Sequence, residues 1–218
     1  MRVVIAGGHG QIALKLGRLL SARGDSPVGL VRNPAHVDDL RDAGADAVVC
    51  DLESIAVDEL AGHLKDADAV IFAAGAGPGS GTDRKDSVDR AAAVLLAEAA
   101  LTAGVRRYLL VSSMGVGRPL AAGSDESWAA YMAAKTAAED AVRGFALDWT
   151  VLRPGGLTND APTGRIRIET PGAMRGPVTR ADVAAVLVAL LDTPGTAGLT
   201  LELIAGDTPI VDAVAALG

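Results

Sequence analysis

From Arg2 to Ile204 the chain alternates between short apolar runs and longer segments of helical period, and few folds accept that rhythm. Strands are expected near 2–6, 28–32, 47–50, 69–73, 107–112, 149–152 and 199–204, and helices near 10–23, 35–43, 57–65, 87–103, 128–146 and 180–192. Alternating elements of this kind build βαβ units around a parallel sheet. The runs are apolar at nearly every position, as in Val3-Val4-Ile5-Ala6 and Ala69-Val70-Ile71-Phe72, which suits strands covered by helices on both faces. The expected class is α/β, a Rossmann-like doubly wound parallel sheet.

The 218 residues, half of them apolar and 22% charged, suffice for one domain, 1–218, with its own core. Aromatics make up only 3%, so stacking on nucleic-acid bases has little to work with. A net charge of −7 offers no general field for polyanions, so nucleic acid is not an expected partner and any phosphate site must be local. The single cysteine, Cys50, excludes an internal disulfide and reads as a small core residue. The three histidines are scattered, and no metal site is expected. No basic region and cleavage site mark the start, and the longest apolar stretch, Val183 to Leu191, has nine residues, against the roughly 20 that span a membrane. A cytoplasmic protein without membrane association is expected. The helix near 180–192 is apolar enough to pack on the sheet or partly against a second subunit, which leaves a homodimer open.

Directly after the first strand, Gly7-Gly8-His9-Gly10-Gln11-Ile12-Ala13 opens a helix. Glycine permits the tight turn, Gly10 lets the backbone approach a pyrophosphate, and small Ala13 lets helix and strand pack closely. The N–H groups and positive dipole end of the helix start, at Gln11 and Ile12, favour phosphate. Arg32 ends the second strand where an NAD-selective chain usually carries Asp or Glu, and a guanidinium there suits a 2′-phosphate, so NADP(H) is favoured over NAD(H). A solvated arginine at the sheet edge is the plain alternative. Asp51 and Leu52, after the third strand, are placed to border adenine, although a helix N-cap Asp looks the same.

Ser112 and Ser113 close the fifth strand, and Tyr131 and Lys135 lie four apart on one helical face. A phenol has an ordinary pKa near 10, so a tyrosine acting as base needs a nearby ammonium, which Lys135 supplies. Ser113 is placed to hold a substrate oxygen beside the phenol. The alternative leaves Tyr131 as a wall, with Lys135 a solvated cation or a contact to the cofactor ribose. Two stretches, Gly75 to Lys85 and Arg153 to Pro177, interrupt the rhythm after predicted strands, at the sheet edge where ligands bind in such folds.

Together these motifs resemble those of the short-chain dehydrogenase/reductases, specifically the atypical NAD(P)-binding group related to epimerases and dehydratases. The resemblance rests on Gly7 to Ala13, Val31-Arg32-Asn33-Pro34, Cys50-Asp51-Leu52, Phe72 to Gly81, Val111 to Gly115, Tyr131 to Lys135 and Val151 to Leu157. It extends to Thr179 to Ala184 and Leu201 to Ile210, and so spans nearly the whole chain. It implies pyrophosphate at Gly7 and Gly10, with His9 in the same turn, a 2′-phosphate at Arg32 and adenine at Asp51 and Leu52. Ala73, Ala74 and Gly75 would pass beside the riboses, and Pro154 would run near the nicotinamide. Ser113, Tyr131 and Lys135 fall on the group's catalytic serine, tyrosine and lysine. Two departures stand out. Asp89 replaces an asparagine of the epimerase relatives, an acceptor-only group that alters the surroundings of Lys135. The chain also lacks the long C-terminal substrate domain of typical epimerases, leaving a very small substrate-covering region, a lid-like insertion at about 154–180. The implied function is an NADP(H)-binding oxidoreductase or epimerase/dehydratase-like enzyme acting on an unknown small substrate. The alternatives are a noncatalytic NADP(H)-binding redox sensor and a flavin or quinone reductase with an open site.

Overall fold

β1 (Arg2–Ala6) sends Val3 and Ile5 into one hydrophobic core and Val4 and Ala6 into another, so both faces of the first strand are buried. That is the period of two expected of a strand between helical layers. The computed structural model describes residues 1–77, 81–120, 123–172 and 174–218. Residues 78–80 of the Gly75–Lys85 stretch and Ala173 of the later one lie outside the described residues.

The first half alternates as expected: α1 (Gln11–Ala22), β2 (Ser26–Val31), α2 (Val37–Asp42), β3 (Asp46–Val49), α3 (Val57–Leu64) and β4 (Ala69–Phe72). A long helical stretch follows, made of α4 (Thr82–Arg84), a π-helix (Lys85–Ala91) and α5 (Ala92–Thr102). Then come β5 (Arg107–Val111), α6 (Glu126–Arg143), β6 (Asp148–Pro154), β7 (Gly156–Thr158), β8 (Arg165–Glu169), β9 (Pro177–Thr179), α7 (Arg180–Leu191), β10 (Leu199–Ala205), β11 (Thr208–Pro209) and α8 (Ile210–Ala215). Among these residues, no helix is long and apolar enough to cross a membrane.

Nine strands form one sheet in the order β11-β8-β10-β6-β5-β4-β1-β2-β3. The seven from β10 to β3 run parallel, whereas β8 and β11 join antiparallel. The chain runs outward from β1 to β3, then restarts at β4 on the other side of β1, which opens a crevice above the carboxyl ends of β1 and β4. α1 and α7 pack together over one face, burying Leu16, Leu20, Leu187 and Leu190. α3, α5 and α6 cover the other face, burying Leu60, Leu96, Tyr108 and Val142. Each fully buried Leu or Val side chain contributes about 1.5–3 kcal/mol relative to exposure.

Three departures from the expected elements have local causes. β2 begins at Ser26 and holds Pro27, which precedes Val28, the first residue paired with β3. The long helix starts at Thr82 rather than near 87 and widens into the π-helix, whose wider turn buries both Lys85 and Asp89. The 154–180 segment supplies β8 to the main sheet, its buried Ile166 and Ile168 alternating with exposed arginines and Glu169, and it supplies β7 and β9 to a separate two-stranded sheet. Asp182 ties this segment to α7, accepting from the Thr163 and Gly164 N–H groups at 3.1 and 2.9 Å.

Candidate active site

Two clefts lie along the carboxyl ends of the strands. The first, of about 420 Å³, is lined by the β1–α1 turn, the ends of β2 and β3, and Ala73, Ala74 and Gly75 after β4. Gly7 has φ +78°, and a Cβ there would stand 2.6 Å from the Ala74 Cα, so only glycine allows the two loops to cross. α1 starts at Gly10 with no side-chain cap and no acidic residue in its first turn, so its free N–H groups and positive end face the cleft uncompensated. These residues fit a dinucleotide pyrophosphate. Gly7→Ala is expected to lower stability by about 1–3 kcal/mol from backbone strain, with further loss from the collision. Urea denaturation checks this, and an unchanged midpoint would show that the loops can part freely.

Of the residues assigned to the cofactor, Gly7, His9, Gly10, Arg32, Asp51, Leu52, Ala73, Ala74 and Gly75 line this first cleft. Gln11 and Ile12 do not: Gln11 is exposed, and Ile12 packs against the core beneath α1. Cys50, expected in the core, is half-buried on the cleft wall, where burial and then the Asp51 carboxylate push its thiol up to about 11. The histidines are less scattered than they read, since His9 and His36 stack at 3.6 Å and His9 Nε2 meets Asp39 at 2.7 Å. Arg32 is paired with Glu53 at 2.8 Å, and Glu53 also accepts from Arg84 at 3.1 Å and Ser87 at 2.6 Å. The Ser87 hydroxyl, then the Arg84 and Arg32 guanidiniums, hold the Glu53 carboxyl below its ordinary range. Arg84 and Glu53 escaped the sequence reading because their meeting depends on how α4 returns over the end of β3.

The second cleft, of about 510 Å³, lies beyond β5 and β6 and holds Ser113, Tyr131 and Pro154 together. α6 begins where the Asp125 side chain accepts the Trp128 N–H at 3.1 Å, and one face of the helix then buries Met132, Lys135, Ala138, Glu139 and Val142. Tyr131 stands at the edge of that face, with Trp128 tilted against it at 5.4 Å. Among the described residues its hydroxyl makes no hydrogen bond, which leaves the oxygen available to a ligand.

Lys135 sits beneath the cleft rather than on its wall. It is 3% exposed, donates to the Val111 carbonyl at 3.3 Å and pairs with Asp89, also at 3.3 Å. Asp89 is fully buried and accepts the Ala76 N–H at 3.1 Å, so the acidic replacement serves as a direct counterion to the lysine. The sequence reading missed a second cation, Lys85, which donates to the Gly77 carbonyl at 2.9 Å and lies 5.5 Å from the Tyr131 ring, against 5.8 Å for Lys135. Its spacing of four from Asp89, in a chain with only four lysines, was the available signal. Two ammonium groups therefore supply positive charge at the tyrosine, partly balanced by one carboxylate.

The paired serines divide their work. Ser112 donates to Glu139 at 2.6 Å, and Glu139, fully buried, also binds Arg153 at 2.9 and 2.6 Å and Arg143 at 2.5 Å. Among the described residues Ser113 has only a 3.4 Å contact to the Met114 carbonyl, which leaves its hydroxyl available to a ligand. The Arg153 side chain points down into this network, while Pro154, Gly155 and Gly156 form the cleft wall.

Residues 7–194 match the family model described as NAD(P)H-binding. The chain belongs to that NAD(P)H-binding family. A Bacillus subtilis relative that carries the name uncharacterized sugar epimerase YhfK is 35% identical, over 98% of this chain and 99% of its own length. A solved Bacillus halodurans protein described as an NAD-dependent epimerase/dehydratase is 36% identical, with TM-score 0.90 and 98% of each chain covered. A Lactococcus lactis oxidoreductase, ylbE, is 28% identical with TM-score 0.86, covering all of this chain and 96% of its own. The chain is thus a Rossmann-fold member of the NAD(P)H-binding family, similar over nearly its whole length to a protein described as an NAD-dependent epimerase/dehydratase. The chain spans nearly the full length of each of these three relatives.

Proposed function

We propose that this chain is an NADP(H)-dependent oxidoreductase or epimerase/dehydratase-like enzyme, in which Tyr131 moves the proton and Ser113 orients a carbonyl or alcohol oxygen of a small substrate. The observation that carries the reading is the Tyr131 hydroxyl, which lies at the cleft without a hydrogen bond among the described residues, with two buried ammonium groups within 6 Å of its ring. The nicotinamide, when bound, supplies or accepts the hydride. In the reducing direction Tyr131 Oη donates its proton to the substrate oxygen, and the positive charge of Lys85 and Lys135 steadies the negative oxygen left behind. In the oxidising direction the same oxygen accepts the alcohol proton. Asp89 holds Lys135 in place, and Ser113 Oγ donates to the substrate oxygen.

The preference for NADP(H) rests on the Arg32–Glu53–Arg84 cluster, whose two guanidiniums outnumber its one carboxylate at the rim of the first cleft. A 2′-phosphate there gains charge-assisted hydrogen bonds that a ribose hydroxyl cannot match. Arg32 is about half exposed, so solvent screens the gain. Titrations of NADPH and NADH are expected to show a loss of about tenfold in NADPH affinity on Arg32→Ala, with NADH little changed. Equal losses for both would remove Arg32 from selectivity, and no binding of either to the native chain would leave the glycine turn a structural feature.

A further inference from the structure

The second cleft carries positive charge that the proton-transfer chemistry does not use. Arg175 and Arg180 both line it, and no carboxylate does among the described residues. Among the described residues Arg180 donates only to neutral groups, the Leu157 carbonyl at 3.3 Å and Asn159 Oδ1 at 2.9 Å. Arg175 is exposed and makes no hydrogen bond or ion pair among the described residues. Of the 16 arginines only Arg18, on the outer face of α1, shares that condition. In a chain of net charge −7, two uncompensated guanidiniums facing one cleft are a local reversal of sign.

Their placement is built by the backbone. Arg175 comes just before β9 and Arg180 opens α7 just after it, while β9 pairs in parallel with β7. Gly156 N–H donates to the Gly176 carbonyl at 3.1 Å, and a Cβ on Gly155 would collide with that carbonyl, so the two strands close tightly and present both arginines on the wall beside Pro154. Across the cleft, Trp128 is 46% exposed, a flat apolar face with its neighbour Tyr131 tilted against it.

We infer that the substrate is an oxyanion-bearing compound with a flat apolar body: its carboxylate or phosphate is held by Arg175 and Arg180, its body lies on Trp128, and its reacting carbonyl or alcohol faces Ser113 and Tyr131. This rests on the enzyme reading of the site and names its substrate class. A guanidinium offers a rigid fork of donors that matches either oxyanion, and the adjacent aromatic face supplies contact area at little entropic cost.

The test uses calorimetric titration of the NADP-loaded chain with 4-formylbenzoate, 4-formylphenyl phosphate and neutral methyl 4-formylbenzoate. At least one anion is expected to bind about tenfold or more tighter than the ester, and which anion binds better identifies carboxylate or phosphate. Arg175→Ala is expected to remove about tenfold of that preference and Arg175→Glu all of it, with NADP affinity and circular dichroism unchanged. Among the described residues Arg175 has no partner to lose, so the variants test binding rather than folding. Equal affinity for acid and ester, no binding of either anion, or an Arg175→Glu variant that keeps the preference would each overturn the inference. So would a parallel loss of NADP affinity, which would put the arginines on the cofactor. NADPH consumption measured alongside separates the two readings: an anion preference without turnover leaves the anion site standing and removes the enzyme, whereas turnover of neutral and anionic aldehydes at equal kcat/KM does the reverse.

Discussion

Tyr131→Phe is expected to lower kcat with NADPH by roughly 10²- to 10⁴-fold, the range of a general acid–base contribution, while NADPH affinity stays within about twofold. That loss corresponds to about 3–5 kcal/mol of barrier. The substitution removes one oxygen and no hydrogen bond of the fold, because the hydroxyl is unbonded among the described residues, and the ring keeps its contacts with Trp128, Lys85 and Lys135. It is therefore a cleaner probe than a change at Lys135, where the buried Asp89 would lose its counterion and the fold would suffer as well. The measurement is single-turnover oxidation of bound NADPH by an aldehyde that the native chain reduces, beside a nucleotide titration of both proteins. Unchanged turnover in the variant would remove Tyr131 from the chemistry.

Glu139→Ala is expected to destabilise the protein by about 3–5 kcal/mol, a drop in Tm on the order of 10 °C for a domain of this length. The cause is the charge left behind. Glu139 is fully buried and holds the hydroxyl of Ser112 together with the guanidiniums of Arg153 and Arg143. Arg143 is about a third exposed and can turn to water, but Arg153 is nearly buried and cannot. A buried ion pair is no large net gain over well-packed apolar groups, yet removing one partner leaves the other charge uncompensated in a medium that solvates it poorly. Because Glu139 lies one turn beyond Lys135 and binds both Ser112, just after β5, and Arg153 of β6, the same substitution loosens the helix that carries Tyr131. Thermal denaturation followed by circular dichroism decides the matter, and a Tm within about 2 °C of the native value would show that Arg153 finds water or another partner.

Much of this protein is legible in the chain because its causes are local. The apolar runs at 2–6, 69–72 and 107–111 specify strands buried on both faces, and those strands can only be satisfied by helices above and below. Gly7 announces its turn because only glycine takes that φ cheaply, and Tyr131 and Lys135 announce themselves by the period of the helix that holds them. β8 alternates locally, with Ile166 and Ile168 inward, but nothing nearby says that it pairs antiparallel with β10, about 35 residues later.

The alternation of strand and helix, the glycine turn after β1 and the tyrosine–lysine helix were determined by the sequence alone, since each depends on steric and hydrogen-bonding rules acting within a few residues. Only the tertiary structure decided that Glu53 would stand between Arg32 and Arg84, that Lys85 would join Lys135 at one tyrosine, and that Arg175 and Arg180 would share a cleft with Trp128. Those meetings follow from strand order and from how segments far apart in the chain cross at the sheet edge. A charge whose partner lies on another element carries no local pattern that would reveal where its field will point.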